Sequence, residues 1–538
     1  MVSAIEIIFQ IVYFVCCMHY FQWKGYYKSR YLKYLFKNKL IIILNLILIV
    51  QILLNLLKIS NNLNIFNLIL FILNILILFL FLIKKKKIKF IFTPRVFRLF
   101  VLNLITSIPF WFANKYLLFI FCLICPLWLM LVDTIDVYKY KLNNKLLNNA
   151  ILKLESNKNL ITIGITGSNG KTSVKEILNN LLSTKYQVIT TQKNQNTTKG
   201  AIIAINNFLT PQTQIFICEM GARKVGDIKQ ICNLINPSKA IITSVSQQHL
   251  ETFKTEQNVY LTKKELPDYI KDNYCTYNID NTLVKQMYDE KVGEKSEVSI
   301  STKCKLHATN IHIANYITYF DIHYDNNVYP CHTKLLGEHN VTNILLALDL
   351  ALHLKVDINQ AIQTIINLSP TPHRLEYIKS HIDIIDDSYN CSIDSARQAL
   401  KVLNQINKTK VVCTPGIIEG GKKQFDLNQN LSSMLSQVAD IVIIVGKTNR
   451  KALVSKLNNF EQFYVTTNNL YSKITKSKQY IKVGEQNIKK INIANVLPST
   501  KKRAYIVNTL NVAKQLFTKL LNKNHVLLLL NDLPDEYN

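Results

Sequence analysis

The chain has 538 residues, enough for about three or four domains of ordinary size, and a net charge of +29 at pH 7. Lys, Asn and Ile are abundant throughout, so we attribute the charge to a general compositional bias and predict no nucleic-acid binding. The 11 cysteines form no framework, because Cys122 and Cys125, although spaced C-x-x-C, lie inside an apolar run. We therefore predict free thiols and no cysteine-bound metal.

The first 133 residues are predicted to be a transmembrane region of about five helices. Two uncharged runs of about 18–21 residues are long enough to cross a hydrocarbon core of about 30 Å. No small-residue cleavage site follows the first apolar segment, so we interpret it as an anchor and not as a removed signal. The predicted segments are Ala4–Gln22, Leu40–Leu57, Leu63–Ile83 and a shorter pair that crosses or re-enters, Leu99–Phe110 and Tyr116–Val132.

The distribution of cations predicts the orientation. Trp23–Lys39 and Lys84–Arg98 hold six and seven Lys or Arg residues, whereas Lys58–Asn62 and Trp111–Lys115 hold one each. Positively charged connections stay on the cytoplasmic side. We therefore predict a multi-pass protein of the cell membrane with its N-terminus outside and everything after Asp133 in the cytoplasm, where ATP is available.

Beyond a connector at residues 134–158, short runs rich in Ile and Val alternate with helical patterns such as Lys171–Ser183 and Ser392–Asn404. Such runs are typical of strands buried on both faces of a parallel sheet, which predicts an α/β fold. Tyr319–Tyr329 alternates and predicts a small antiparallel insert. A boundary near Pro370–Pro372 predicts domains at 159–371 and 372–538. The predicted parallel strands are Leu160–Ile165, Ile215–Cys218, Lys239–Ile242, Ile382–Ile385, Val411–Cys413 and Ile441–Val445.

The stretch "GITGSNGKTS" (residues 164–173) has the context of a phosphate-binding loop: a strand, a glycine-rich turn, then a helix beginning at Lys171. Backbone N–H groups of such a turn face phosphates, the lysine reaches the terminal ones, and the Thr172 hydroxyl can bind Mg²⁺. The usual spacing G-x-x-x-x-G-K-[ST] would require glycine at position 165, where this chain has Ile165.

Two further polar residues follow predicted strands. Glu219 ends one strand in "FICEMGA", and His249 follows another in "ITSVSQQHLETF". The carboxyl ends of parallel strands meet at one edge of a sheet, where ligands bind. A carboxylate there suits Mg²⁺.

Seven motifs occur in order within residues 150–450, and together they resemble the Mur ligases, which couple ATP to amide-bond formation in peptidoglycan synthesis. That family writes its loop as G-x-T/S-G-x-N-G-K-T/S, which explains the displaced glycine. The segment Asp386–Leu400 is most similar to the branch that adds D-alanyl-D-alanine. The motifs are "GITGSNGKTS", "NQNTTKG", "CEMGARKVGDI", "TSVSQQHLETF", "LLGEHNVTNILLAL", "PHRLE" and "DDSYNCSIDSARQAL".

The resemblance implies a P-loop-type central domain, a Rossmann-like C-terminal domain and two cofactors, ATP and Mg²⁺. Thr172 and Glu219 would bind one Mg²⁺, and Glu219 with His249 a second. His249, Arg374 and Lys171 would also be catalytic. The implied nucleotide-binding residues are Gly167, Ser168, Asn169, Gly170, Lys171, Thr172 and Ser173 for the phosphates, Asn340 and Asn343 for adenine, and Arg374 and Asp387 for the phosphates and ribose.

The resemblance also implies a catalytic, metal-binding lysine in "LTKKELPDY". Many members carry a lysine here that CO₂ converts to a carbamate, an anionic oxygen ligand suited to Mg²⁺. The family's K-x-E spacing selects Lys263 ahead of Glu265, and Lys264 then lies about 100° away on the same helix.

The chain departs from the soluble Mur ligases at its N-terminal side. About 25 residues separate Asp133 from the ATP-binding strand, too few for a substrate domain, and predicted membrane helices stand there, which favours a membrane-fused subgroup. The expected partners are ATP, D-alanyl-D-alanine, the membrane, and a muramoyl-peptide acceptor linked to a nucleotide or a lipid. Two alternatives stay open: a ligase building another amide polymer, and a non-catalytic scaffold for wall synthesis.

Overall fold

A computed structural model describes most of the chain, in two compact units, Met1–Asn144 and Lys145–Asn538. Each unit is described by itself. The described residues are 4–23, 26, 28–56, 69–77, 91–112, 115–135, 137–192, 195–246, 253, 255–389, 391–418, 423–466, 480–483, 486–496 and 501–531.

The first unit is helical. Among its described residues, three helical stretches are long and apolar enough to cross a membrane, Ala4–Trp23, Pro94–Phe112 and Leu117–Thr134, whereas the apolar part of a fourth, Lys39–Leu53, is shorter. Its helices are α1 (Ala4–Trp23), α2 (Lys28–Lys37), α3 (Lys39–Leu56), α4 (Pro94–Phe112) and α5 (Lys115–Ile135), and residues 69–77 are also helical.

Two of the predicted spans lie within helices that are longer than the spans. The segments expected at Leu99–Phe110 and Tyr116–Val132 are parts of α4 and α5, which have 19 and 21 residues. The extension of α4 begins at Pro94, a residue favoured in a first helical turn because its fixed φ suits a helix and it needs no N–H acceptor there. Much of the predicted span Leu63–Ile83 lies outside the described residues.

Some of the polar side chains inside the first unit pair with one another. The buried amides of Gln51 and Asn74 are joined by a hydrogen bond of 2.9 Å. Arg95 forms an ion pair with the buried Asp133. Such pairing is needed where polar groups are withdrawn from water. Cys122 and Cys125 are buried, and all 11 cysteines are free thiols, as predicted.

The predicted connector is mostly a helix, α6 (Val137–Ser156). Its second half packs on the central domain: Ala150 is fully buried, and Lys153 Nζ donates hydrogen bonds to the carbonyls of Asn206 and Leu209. This helix is not predicted from the sequence, because its asparagines and lysines leave only a weak apolar stripe along one face.

The second unit contains two nine-stranded sheets. The first has the order β2-β3-β1-β4-β5-β6-β7-β8-β9, parallel up to β7 and antiparallel from β7 to β9. The antiparallel part confirms the predicted insert and enlarges it. The strands are β1 (Ile161–Thr166), β2 (Val188–Thr190), β3 (Ile215–Glu219), β4 (Lys239–Ile242), β5 (Cys275–Asn278), β6 (Lys295–Ser299), β7 (Leu306–Ala314), β8 (Ile317–Tyr324) and β9 (Asn327–Thr333).

Among the described residues, seven helices accompany this first sheet. The first of them, α7, runs from the glycine-rich turn and packs against β3 and α12. The helices are α7 (Lys171–Leu182), α8 (Thr198–Phe208), α9 (Asp227–Ile235), α10 (Glu256–Ile270), α11 (Thr282–Glu290), α12 (Glu338–His353) and α13 (Ile358–Ile366).

The second sheet follows the predicted boundary and has the order β10-β11-β18-β12-β13-β17-β14-β16-β15, with antiparallel pairs only at its two edges. Its strands are β10 (Glu376–Lys379), β11 (Asp383–Asp387), β12 (Thr409–Thr414), β13 (Ile441–Val445), β14 (Glu461–Thr466), β15 (Tyr480–Val483), β16 (Gln486–Asn492), β17 (Arg503–Val507) and β18 (His525–Leu530). The associated helices are α14 (Ile393–Asn404), α15 (Gln424–Val438), α16 (Arg450–Val454) and α17 (Leu510–Leu520).

An aromatic pair joins the two sheets. Tyr316, between β7 and β8, stacks on Tyr377 of β10 with ring centroids 4.0 Å apart. Both hydroxyls donate to the Asp383 carboxylate, at 2.7 and 2.8 Å. This contact fixes the start of the second sheet against the insert of the first.

Candidate active site

The glycine-rich turn lies between β1 and α7, as the sequence predicted. Gly170 precedes α7 with a φ of 83°, and Gly167 has a φ of 149°. A β-carbon at Gly167 would lie 2.0 Å from the Thr243 hydroxyl oxygen, and one at Gly170 would lie 2.5 Å from the Asn343 amide oxygen. Both positions therefore require glycine, for backbone conformation and for space.

The start of α7 is suited to bind an anion. Lys171, Thr172 and Ser173 form its first turn, and their side chains are half-buried. The first N–H groups of a helix have no acceptor within the helix, and the helix dipole favours negative charge there. A phosphate group is the usual ligand of such a turn.

A second loop, directly after β4, braces the turn. The N–H of Ser168 donates to the Ser244 carbonyl at 2.6 Å, and the N–H of Asn169 donates to the Ser244 hydroxyl at 2.9 Å. Thr243 donates its hydroxyl to the Asn169 carbonyl, and the N–H of Ser246 donates to the Ser168 hydroxyl at 3.0 Å. No individual role is predicted from the sequence for Thr243, Ser244 or Ser246, and the hydroxyls of "TSVS" after a strand are the signal that could have shown it.

Lys171 lies over the turn that it follows. Its Nζ donates hydrogen bonds to the carbonyls of Gly167 at 2.7 Å and Ser168 at 2.9 Å. Burial lowers the pKa of Lys171, the Glu219 carboxylate opposes this shift, and the Arg374 guanidinium adds to it. Glu219 and Arg374, both predicted site residues, are thus close enough to Lys171 to influence its pKa.

Glu219 ends β3 and is buried, with 3% of its surface exposed. Its Oε1 accepts a hydrogen bond of 3.3 Å from Asn196 Nδ2. Its Oε2 is buried and accepts no hydrogen bond from the described residues, although Lys175 Nζ lies 3.6 Å away. A buried carboxylate oxygen without a donor, together with the hydroxyl of Thr172, is a donor set that fits a hard cation such as Mg²⁺.

Lys175 was missed by the sequence analysis. It lies one turn after Lys171 and is fully buried, and its Nζ donates to the Thr191 carbonyl at 2.7 Å. The available signal was its position on the apolar face of α7, between Val174 and Leu178, where a lysine is unusual.

Lys263 and Lys264 have opposite environments on α10. Lys263 is buried, and burial lowers its pKa well below the ordinary value, with a further lowering by the nearby Lys171 ammonium. Lys264 is partly exposed and pairs with Asp268 at 2.9 Å. Glu265, which follows them, caps the start of α9 by accepting hydrogen bonds from two backbone N–H groups, at 2.6 and 2.8 Å.

His249, predicted as a catalytic and metal-binding residue, lies outside the described residues.

The residues predicted to bind adenine lie in the first turns of α12. Asn340 and Asn343 are both buried; Asn340 Nδ2 donates to the Leu336 carbonyl at 2.9 Å, and Asn343 Nδ2 donates to Asn340 Oδ1 at 3.3 Å. The contact of Asn343 with Gly170 places this helix beside the glycine-rich turn. Burial lowers the pKa of the neighbouring His339 to about 4, so its ring is neutral at pH 7.

Arg374 lies in the strained segment that enters the second sheet. The residues on either side, His373 and Leu375, have φ values of 63° and 48°, a conformation that non-glycine residues seldom adopt. The guanidinium carbon of Arg374 lies 4.4 Å from the centroid of the Tyr389 ring. Its Nε is buried and has no hydrogen-bond partner among the described residues.

Asp387 ends β11 and is buried. Burial raises its pKa to about 7, and the Asp386 carboxylate also raises it. The Leu375 backbone and the Arg374 guanidinium oppose the shift. This carboxylate therefore changes charge near neutral pH.

The ligand atoms of His373, Glu376 and Asp386 lie within 4.8 Å of one another, a spacing that a metal could bridge. Hydrogen bonds already join them: His373 Nδ1 lies 2.8 Å from Asp386 Oδ2, and the His373 N–H donates to Glu376 at 3.0 Å. We interpret this group as a brace of the strained segment that carries Arg374.

Two family models match the chain. The Mur ligase middle domain matches residues 165–351, and the Mur ligase, glutamate ligase domain matches residues 373–483. The chain belongs to the Mur ligase family. The predicted family and the mixed α/β fold with two sheet domains are thereby confirmed.

Among relatives of this Mur ligase, the UDP-N-acetylmuramoyl-tripeptide--D-alanyl-D-alanine ligase of Buchnera aphidicola (subspecies Baizongia pistaciae) is 31% identical over 272 residues. That match covers 49% of this chain and 58% of the relative. The enzyme of the same name from Bacillus subtilis is 26% identical over 334 residues, covering 61% of this chain and 70% of the relative. The chain thus spans less than two thirds of the Buchnera enzyme.

Two solved structures share the fold. A crystal structure of MurF from Acinetobacter baumannii has a TM-score of 0.58 and 20% identity, covering 72% of this chain and 76% of that one. The MurF ligase from Thermotoga maritima in complex with ADP has a TM-score of 0.56 and 22% identity, covering 72% and 80%.

The pKa of Asp387 makes stability depend on pH. A carboxyl with a pKa of about 7 when folded and 3.8 when unfolded binds more protons in the folded state, so the free energy of unfolding falls as pH rises from about 4 to about 7. Asp387→Asn removes this loss. Between pH 5 and pH 8, the wild type should therefore lose about 2–3 kcal/mol more of its free energy of unfolding than the variant does.

The measurement is the melting midpoint of the detergent-solubilised full chain at both pH values. Asp325→Asn, at an exposed turn with a φ of 51° that asparagine tolerates, is the matched control and should leave the pH dependence unchanged. An unaltered pH dependence in Asp387→Asn would show that this carboxyl titrates in the ordinary range.

Proposed function

We propose that this Mur ligase is an ATP-dependent, ADP-forming ligase that joins D-alanyl-D-alanine to a muramoyl peptide in peptidoglycan precursor synthesis. The observation that carries the proposal is the gathering of Lys171, Glu219 and Lys263 beside a turn built for phosphate. The names of the relatives support the substrate class, and the segment Asp386–Leu400 supports D-alanyl-D-alanine over another amine.

The proposed reaction has two steps. The acceptor carboxylate attacks the terminal phosphorus of ATP, releasing ADP and forming an acyl phosphate; the amine of the dipeptide then attacks the activated carbonyl and releases phosphate. Phosphoryl transfer asks a protein chiefly for positioning and for cations. Lys171 and the first N–H groups of α7 would hold the phosphates, and Arg374 would approach them from the second sheet.

Magnesium would be held by Thr172 and Glu219, where it supplies positive charge to the phosphate oxygens. A second ion would be held by Glu219, His249 and a carbamate on Lys263. The lowered pKa of Lys263 supports this role, because only a neutral amine attacks CO₂. Asn340 and Asn343 would bind adenine, and Asp387 with Arg374 would bind ribose and phosphate.

We further propose that the enzyme is a multi-pass protein of the cell membrane, from a membrane-fused subgroup of the family, with its catalytic domains in the cytoplasm. The three long apolar helices of the first unit and the cation-rich connections support this proposal. A membrane location would allow either a lipid-linked or a nucleotide-linked acceptor. The alternative, a ligase of another amide polymer, is less well supported, because the segment Asp386–Leu400 is most similar to the branch that adds D-alanyl-D-alanine.

The first test is phosphate release by the purified full chain in detergent, given ATP, D-alanyl-D-alanine and either a nucleotide-linked or a lipid-linked muramoyl peptide. Lys171→Ala should reduce turnover at least a hundredfold. The melting midpoint should stay within a few degrees, because Lys171 is half-buried and, among the described residues, its Nζ bonds only to carbonyls of the adjacent turn, not to the core.

The control for this test is Lys285→Ala on the exposed face of α11, which should keep normal turnover. Near-normal turnover in Lys171→Ala would contradict the phosphate-loop assignment. A wild-type chain that binds nucleotide yet releases no phosphate with either acceptor would favour the scaffold.

A second test separates the adjacent lysines. Lys263→Ala should lose activity and regain part of it with added short-chain carboxylates, which replace the carbamate oxygens. Lys264→Ala, which removes only a partly exposed side chain paired with Asp268, should remain active. The opposite pattern in phosphate release would shift the assignment by one residue, and full activity in both variants would exclude a carbamate.

A third test concerns orientation. A reporter fused after residue 141 should be active only if it is of the type that works in the cytoplasm, because the cation-rich connections place this point inside. Activity of a reporter that requires the outer side of the membrane would overturn the topology without touching the catalytic proposal.

A further inference from the structure

Lys175 is a lysine with no exposed surface, in the interior of the central domain. Removing an ammonium group from water is costly unless charged or polar partners replace the water. Its neighbours along α7, Val174 and Leu178, belong to the apolar core, so its buried partners come from other elements.

Two buried partners are present. Nζ donates a hydrogen bond of 2.7 Å to the Thr191 carbonyl, directly after β2, and lies 3.6 Å from Glu219 Oε2 at the end of β3. A third partner, Glu176 Oε1 at 3.3 Å, belongs to a side chain that is 44% exposed. The ammonium therefore lies at the carboxyl ends of β2 and β3, the two strands on one side of β1 in the sheet.

Lys175, Thr191 and Glu219 form a closed network of contacts. The Thr191 hydroxyl accepts a hydrogen bond of 3.0 Å from the Glu219 N–H. Residue 191 thus holds the Glu219 backbone through its side chain and the Lys175 ammonium through its carbonyl, and the ammonium in turn faces the Glu219 carboxylate. Asn196 holds the other carboxylate oxygen at 3.3 Å.

We propose that Lys175 is a positioning residue for magnesium: with Thr191 it fixes the Glu219 carboxylate in the orientation that receives the ion. This inference rests on the proposed function, in which Glu219 is a metal ligand. Groups that orient a metal ligand commonly change metal affinity by about 10–100-fold when they are removed. Glu176 pairs with the same ammonium, but its side chain is 44% exposed, so we expect this solvent-screened pair to contribute little to the orientation of Glu219.

The test measures binding without turnover. Mn²⁺ is added to the detergent-solubilised full chain with a non-hydrolysable ATP analogue, and free Mn²⁺ is followed by electron paramagnetic resonance. Lys175→Met and Lys175→Gln should weaken Mn²⁺ binding about tenfold or more. Lys175→Arg, which keeps the charge, should recover part of the affinity, and Glu176→Gln is the matched control and should bind Mn²⁺ as the wild type does.

Equal affinity in folded Lys175→Met and wild type would overturn the inference, as would an equal loss in Glu176→Gln. A lower melting midpoint with unchanged affinity would show a purely structural role and overturn it as well. If the Lys175 variants do not fold, Thr191→Val is the substitute, because it removes the hydroxyl that accepts from the Glu219 N–H. A several-fold loss of Mn²⁺ affinity in this variant supports the inference, and unchanged affinity overturns it. Absence of Mn²⁺–nucleotide binding in the wild type would instead contradict the proposed function.

Discussion

An excess of buried positive charge is the constraint on which the site depends. Lys171, Lys175 and Lys263 surround the Glu219 carboxylate at one edge of the first sheet, and Arg374 influences the same region from the second. The Glu219 carboxylate does not offset these cations by itself, although Glu265 and Asp227 also act on Lys263 and Glu176 pairs with Lys175. A ligand with several negative charges would balance the site, which is the electrostatic argument for a triphosphate. Burial is the main cause of the lowered pKa of Lys171 and of Lys263, and a neighbouring cation lowers each further.

The parallel strands were predictable because their runs of Ile and Val are short, continuous and bounded by polar residues. Lys239–Ile242 and Ile441–Val445 have the predicted bounds, and the glycine-rich turn follows its strand as expected. Glu219 could be placed near the turn because β1 and β3 are neighbours whose carboxyl ends share an edge. These inferences needed only local patterns and one rule of sheet topology.

The features that were missed depend on contacts between distant segments. Lys175 looks like any helix lysine until β2 and β3 are placed around it, and Thr243, Ser244 and Ser246 brace a turn more than 70 residues earlier. The helix α6 has little amphipathic pattern of its own and is stabilised by docking on the central domain. The run "HVLLLL" of β18 could equally have been a helix segment or an edge strand.

The position of β18 has a consequence for how the protein is made. This strand, residues 525–530, pairs with β11 and β12 in the interior of the second sheet, although β11 and β12 precede it by more than 100 residues. During synthesis the strands of the first sheet can pair as soon as they have emerged from the ribosome. In the second sheet, by contrast, β11 and β12 each keep one unpaired edge until β18, which ends at residue 530, has emerged. Exposed strand edges are prone to wrong pairing. The assembly of the second sheet is therefore the step of synthesis at which a chaperone would protect the most exposed strand edge.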